Sequence, residues 1–194
     1  MIPILILAAG ESSRMRGRDK LLEIIDGEPL LRRQVRAAGA AGLDVWVALP
    51  APDQPRVEVL DGVAHHPLFL PGSSEGMGGT LRDGVAALPP CSRFMVLAAD
   101  LPGLTTEDFA TMAEAVPQAG GIIVATAASG NLGHPVVFDA RLRPDFAMLS
   151  GDEGAKRVVR AHKSKMRTLA LPGDHATRDL DTPEEWAEWR AEQD

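Results

Sequence analysis

Apolar residues cluster in short runs along this chain: Ile2 to Leu7, Leu43 to Leu49, Phe94 to Ala98, Ile122 to Ala125, Pro135 to Phe138 and Met166 to Leu171. A strand buried on both faces points apolar side chains both ways, so such runs predict strands of a sheet covered on two sides. Between them the spacing turns helical. Glu28 to Ala41 carries an apolar stripe with Arg32, Arg33 and Arg36 on the opposite, solvated face. Thr80 to Leu88, Glu107 to Val116, Leu142 to Leu149, a stretch from Gly154 to about Ala161, and a terminal segment bearing Trp186 and Trp189 read as further helices. Thr105 or Thr106 is a candidate N-cap, and Pro183 suits a first helical turn, where its missing N–H costs nothing. Pro50 to Pro55, with three prolines, reads as a loop. Val57 to Leu70 reads as a helical turn or two and then a short strand ending near Pro67.

Strands alternating with helices predict an α/β fold, a Rossmann-like three-layer αβα sandwich on a mostly parallel sheet. Ligands in such folds bind beyond the carboxyl ends of the strands. The 194 residues suffice for one substantial core, and with no repeat or long linker the expectation is one domain over 1–194. A formal net charge of −7 argues against nucleic-acid binding, which needs concentrated positive charge. Cys91, the lone cysteine, allows neither an internal disulfide nor a cysteine metal cluster and fits a reducing compartment. The first apolar run is broken by Pro3 and falls well short of the ~20 residues that span a bilayer. The expected location is therefore the cytoplasm, away from membranes.

Candidate chemistry begins where the first strand empties into Leu7-Ala8-Ala9-Gly10-Glu11-Ser12-Ser13-Arg14-Met15-Arg16-Gly17-Arg18-Asp19-Lys20. A glycine-bearing turn after a strand brings backbone N–H groups close to an anion, and Arg14 and Lys20 can supply charge around it. The alternative is a solvated basic turn. A P-loop is excluded because Leu21 follows Lys20, and a dinucleotide fingerprint fails because Ala9 and Ser12 stand where glycines are needed. Asp100 closes a purely apolar strand, a placement that suits a Mg²⁺ ligand, and Asp181 is the natural second carboxylate. Their bland alternatives are a turn cap for Asp100 and an N-cap for Asp181, with Thr182 as competitor. Gly76-Met77-Gly78-Gly79 permits close backbone approach to a ligand or simply a tight helix entry. His134 opens a strand after a flexible loop, where it could touch an acceptor phosphate.

The run L-A-A-G-x-S-x-R-M-x-G-x-x-K resembles the signature loop of the MobA-like nucleotidyltransferases, and its L-A-A-G form with K-L-L after the lysine is most similar to the molybdenum cofactor cytidylyltransferases. L-A-A-D-L-P, D-L-D-T-P-E-E, G-M-G-G-T-L-R-D-G-V, G-N-L-G-H-P and G-D-E-G-A resemble the family's other motifs in order and spacing. The family's usual R-M-G is R-M-R here, with the glycine displaced to Gly17. The resemblance implies a nucleotide-diphospho-sugar-transferase-like fold. It also implies nucleotide binding by Leu7, Ala8, Ala9, Gly10, Arg14, Lys20, Gly76, Met77, Gly78 and Asp100, with Arg14, Lys20 and Asp100 catalytic. Mg²⁺ would be held by Asp100 and Asp181, with Asp179 in a supporting or structural role. The implied reaction moves CMP from CTP to the terminal phosphate of molybdopterin and releases pyrophosphate, with His134 on the acceptor side and a molybdoenzyme as possible recipient. Ala9 favours CTP, because guanylyl members tend to carry L-A-G-G. The rivals are guanylyl transfer, transfer to a sugar or polyol phosphate, and a non-catalytic carrier of the finished cofactor.

Overall fold

The computed structural model describes residues 1–193. Its strands are β1 (Pro3–Leu7), β2 (Ile24–Ile25), β3 (Glu28–Pro29), β4 (Asp44–Leu49), β5 (His66–Phe69), β6 (Arg93–Ala98), β7 (Ile122–Thr126), β8 (Leu132–Asp139) and β9 (Met166–Ala170). Its helices are α1 (Leu30–Ala40), α2 (Pro55–Glu58), α3 (Met77–Ala87), α4 (Thr106–Glu114), α5 (Arg143–Phe146), α6 (Lys156–Ala161) and α7 (Pro183–Ala191). Seven strands form one sheet in the order β5-β4-β1-β6-β8-β7-β9, and β2 pairs with β3 in a small hairpin. β8 runs antiparallel to both of its neighbours, while the other pairs of the large sheet are parallel.

Side-chain alternation splits the sheet into two covered faces. Ile4, Ile6, Val45, Val47, Met95 and Leu97 face one layer with Leu31, Val35, Phe109, Met112 and Trp186 of α1, α4 and α7. Leu5, Phe94, Val96, Val124 and Phe138 face the other, with Leu81, Val85, Phe146 and Val158 of α3, α5 and α6. That is the expected three-layer α/β sandwich, and it explains why its strands read as apolar runs. A full Leu- or Phe-sized side chain buried this way contributes about 1.5–3 kcal/mol.

Several boundaries differ from the sequence reading. Glu28 and Pro29 belong to β3, so α1 starts at Leu30; Pro29 brings a fixed φ to the turn before it. Arg32, Arg33 and Arg36 are not free on a solvated face but pair with Glu28, Asp26 and Glu28 respectively. Pro55 begins α2 rather than ending a loop, and β5 begins at His66 where a strand ending near Pro67 was expected. The expected helix from Leu142 to Leu149 shrinks to a 3-10 turn at Ala140–Leu142 and the single turn α5. Pro144 follows Arg143 there, which suits a first turn and gives no N–H for a longer helix leading into it. α3 takes in Gly78 and Gly79 rather than starting at Thr80. β8 extends back to Leu132, and α4 ends at Glu114, two residues short of Val116. Thr105 is the N-cap of α4 through a capping box with Asp108.

The reversed strand matters for the site. Because Val96 of β6 lies opposite Val136 of β8, the start of β8 reaches the rim where β6 ends. Gly133 and His134 therefore stand beside the carboxyl rim of the parallel strands. There the His134 N–H donates to Ala176 O at 2.8 Å, and a Cβ on Gly133 would lie 1.8 Å from that oxygen. This contact ties β8 to the segment that leads into Asp179 and Asp181. Gly133→Ala is expected to destabilise the protein by about 1–3 kcal/mol, because backbone must move to admit the methyl. A thermal melt checks it, and an unchanged midpoint would mean that the segment yields freely.

Candidate active site

β1 ends at Leu7 and the chain leaves the sheet in stages. Ala8 N–H still donates to Ala48 O of β4 at 2.9 Å, and Ala99 N–H reaches Leu7 O at 3.4 Å. A 3-10 turn at Ser13–Met15 follows, anchored by the fully buried Met15 side chain. Arg16 then takes φ 53° and Gly17 φ 86°, so two successive residues are left-handed. The arginine at the family's glycine position thus holds the backbone shape a glycine would take, at a cost of about 1–2 kcal/mol. A second 3-10 turn, Lys20–Leu22, is capped by Asp19, whose carboxylate accepts from Leu21 N–H at 3.0 Å.

This path delivers Lys20 to the sheet rim. Its Nζ donates to Asp100 Oδ2 and to Asp181 Oδ1, each at 2.6 Å, and Arg14 Nη2 lies 2.7 Å from Asp181 Oδ2. Burial opposes the ammonium charge, but the two carboxylates outweigh it, so Lys20 titrates above the usual lysine range. Asp100 and Asp181 come together through backbone. Leu180 N–H donates to Asp100 O at 3.4 Å, setting the next residue beside Asp100. Buried Gln34 on α1 fixes the following turn by donating to Leu101 O at 2.6 Å. On the other side Thr182, not Asp181, is the N-cap of α7, in a capping box with Glu185. The Glu185 carboxylate also accepts from Asp181 N–H at 2.7 Å. Its pKa is held down chiefly by that bond, and Trp186 below it anchors the helix in the core.

Asp179 joins them, so that Asp100, Asp179 and Asp181 each place a ligand atom within 4.8 Å of the others. The sequence reading gives it a supporting or structural role, and the structure sets it beside the two aspartates expected to hold the metal. The donor set consists of hard oxygens, and Lys20 Nζ already sits between two of them, so the geometry accepts a cation. Lys20 and Arg14 neutralise two of the three carboxylates, leaving room for further positive charge.

The remaining candidates lie apart from this contact. Gly76, Met77 and Gly78 stand at the start of α3, which follows β5 and so opens at the carboxyl rim. Their glycines are accounted for by the protein itself. A Cβ on Gly76 would fall 2.3 Å from Asp152 Oδ1, one on Gly78 would fall 2.5 Å from Ser150 O, and Gly78 N–H donates to Gly151 O at 2.7 Å. The G-M-G-G and G-D-E-G motifs are therefore packed on each other. Met77 remains exposed. His134 is half-buried beside β6, with Nδ1 3.4 Å from Val96 O. Burial lowers its pKa, against the pull of Asp100 and Asp179, which favours the neutral ring.

One residue escaped the sequence reading. Arg56, from α2, is buried under the 8–12 turn and bonds to Asp19, Ala8 O, Gly10 O and Ser12. A cavity of about 300 Å³ lies beside it, lined by Ala9, Gly10, Glu11, Pro50, Gln54 and Pro55 among others. The available signal was that Arg56 is the sole lysine or arginine between Arg36 and Arg82.

Comparison with known proteins bears on this arrangement. The Purine catabolism protein PucB of Bacillus subtilis is 25% identical over 191 residues, covering 93% of this chain and 91% of that protein. A Molybdenum cofactor guanylyltransferase of Bradyrhizobium is 31% identical over 177 residues, covering 88% and 82%. Rv0371c of Mycobacterium tuberculosis superposes with a TM-score of 0.78 at 24% identity, over 97% of this chain and 96% of that one. A second structure of that protein contains manganese. Residues 4–166 match the MobA-like NTP transferase domain, a span that takes in the loop and Asp100 and stops short of Asp181. That match runs from within β1 to the first residue of β9, and the chain accordingly belongs to the MobA-like NTP transferase family and is a nucleotidyltransferase.

Proposed function

We propose that this nucleotidyltransferase moves CMP from CTP to the terminal phosphate of molybdopterin, and that one domain over 1–194 does so in the cytoplasm, for a molybdoenzyme. The observation that carries the site assignment is Lys20 from the first loop meeting Asp100 and Asp181 at one rim. Support for the acceptor comes from the family motifs and from the Bradyrhizobium relative named for molybdenum cofactor. Support for CTP rests on the family resemblance at Ala9, where guanylyl members tend to carry glycine.

In this reading an acceptor phosphate oxygen attacks the α-phosphorus of the NTP while the bond to the bridging oxygen breaks, and pyrophosphate leaves with the bond pair. The turn from Leu7 to Gly10 lies along the triphosphate. Arg14 and Lys20 bear on the oxygens where negative charge gathers, so positioning and electrostatics supply the catalysis. Gly76, Met77 and Gly78 border base and sugar from the far side of the rim. His134, favoured as a neutral ring, offers the acceptor phosphate a hydrogen bond without a second positive charge. The proposed cation is Mg²⁺, which Asp100 and Asp181 would hold and which would neutralise phosphate charge there. A phosphate monoester is already nucleophilic near neutral pH, so no serine, cysteine or histidine nucleophile is required.

The second reading is guanylyl transfer, favoured by the name of the 31% identical relative. Steady-state rates with CTP and GTP decide between them. CTP is expected to have the higher kcat/KM, and Ala9→Gly should shift the ratio toward GTP by roughly 1–3 kcal/mol. Faster turnover of GTP by the unaltered protein would transfer the assignment to guanylyl chemistry.

The ion pairs make a second prediction. Lys20→Met should lower kcat/KM at least about tenfold, some 1.4 kcal/mol, and should also lower the melting temperature of the metal-free protein, because Asp100 and Asp181 lose the cation between them. The same substitution should tighten Mn²⁺ binding without nucleotide by about tenfold, because the lysine no longer competes for Asp100 and Asp181. Titration calorimetry reads this directly, with Asp100→Asn and Asp181→Asn losing the metal. Equal Mn²⁺ affinity in Lys20→Met and the unaltered protein would exclude such competition.

A further inference from the structure

Arg56 donates all five of its guanidinium hydrogens inside the protein. Nε bonds to Asp19 Oδ2 at 2.6 Å, and Nη2 bonds to Asp19 Oδ1 at 2.8 Å and to Ser12 Oγ at 3.1 Å. Nη1 bonds to Ala8 O at 2.6 Å and to Gly10 O at 2.8 Å. The side chain is only 6% exposed, and no donor is left for a ligand. Asp19 is a matched partner. Burial would raise its pKa, but the bonds and charge of Arg56, with Leu21 N–H and Ser12 Oγ, hold it below the usual carboxylate range.

Two carbonyls turned toward Arg56 have a geometric consequence. In a planar trans peptide the N–H points opposite to the C=O. With the oxygens of Ala8 and Gly10 drawn to Nη1, the N–H groups of Ala9 and Glu11 face away from Arg56. Among the described residues no acceptor bonds to the N–H of Ala9, Gly10 or Glu11. Free amides held in a fixed direction on a tight turn form an anion receptor. The network also reaches Lys20: Ser12 Oγ accepts from Lys20 N–H at 3.2 Å and donates to Asp19 Oδ1 at 3.0 Å. One side chain thus sets both the amide directions and the point from which the lysine extends.

We infer that Arg56 is the positioning residue of the phosphate-binding turn, orienting its free amides and the base of Lys20 without touching the nucleotide. The inference rests on the reading of this turn as the triphosphate site. A guanidinium is required because its planar fork spans four separate acceptor groups, whereas lysine offers three donors from one point.

Arg56→Lys preserves the charge and removes the fork. Calorimetric titration with CTP, GTP and inorganic tripolyphosphate, together with steady-state kinetics, tests it against Ser12→Ala and Leu60→Ala. Leu60 is buried just beyond α2 and serves as a control for general loss of stability. Arg56→Lys should weaken tripolyphosphate and nucleotide binding about tenfold or more and raise KM in step. Its kcat should fall by less than its affinity, since the amides serve ground state and transition state alike and only the displacement of Lys20 reaches the chemical step. Ser12→Ala, which leaves no buried charge unpaired, should weaken binding in the same sense by about threefold or more. Leu60→Ala should lower the melting temperature with unchanged affinity. Unchanged affinity in Arg56→Lys overturns the inference, as does an equal affinity loss in Leu60→Ala. Should Arg56→Lys fail to fold, Ser12→Ala decides, and wild-type affinity there overturns it. If the unaltered protein binds none of the three probes, the triphosphate reading itself fails, a result distinct from the others.

Discussion

Three carboxylates within 4.8 Å of one another repel strongly unless cations lie between them, and the arrangement of the rim answers that constraint. Two of the aspartates arrive near the end of the chain and one from its middle, while Lys20 and Arg14 come from its first loop. Each partner has to be brought to the same few ångströms by a different device. Asp100 is carried by a buried strand, Asp181 by a backbone bond to Asp100 and a helix cap, and Lys20 by a turn nailed down at Met15 and Asp19. The charges exert their pull only because these supports already place them, which is why core, caps and site cannot be separated here.

Much of this was legible beforehand. Apolar runs announce β1, β4, β6 and β7 because both faces of the sheet are covered, and the loop, Asp100 and Asp181 stand out by residue type. Less legible was everything that depends on partners distant in sequence. That Asp179 lies beside Asp100 has no local mark in the sequence, because the chain's return to Asp100 brings the two together. Arg56 is invisible for a similar reason, since its partners lie 37 to 48 residues away and a lone arginine after prolines looks like surface. The short helices also misled. Periodicity over Leu142 to Leu149 is satisfied by a 3-10 turn and one α turn as well as by a single helix.

Glycine carried a mixed message. The residues at 76, 78 and 79 read equally as room for a ligand or as turn geometry; the structure shows turn geometry at Gly76, whose φ is 110°, and gives Gly78 and Gly79 a further use, contact between main chains. Gly79 would place a Cβ 2.0 Å from Gly72 O, as Gly78 would at Ser150 and Gly133 at Ala176. Arg16 is the converse case, a side-chain-bearing residue at φ 53° where glycine would be unstrained.

Contacts made main chain to main chain leave no rotamers between the surfaces. At Gly79 against Gly72 and Gly133 against Ala176, nothing can swing aside to loosen the joint and nothing has to be frozen when a substrate arrives. Those two joints are set in shape when the protein folds, so ordering them would cost a ligand little of its affinity. Lys20 and Arg14, by contrast, are held through ion pairs at the tips of long side chains, which can exchange partners without a change of backbone. Adjustment at this rim is thereby left to side-chain tips rather than to the main chain.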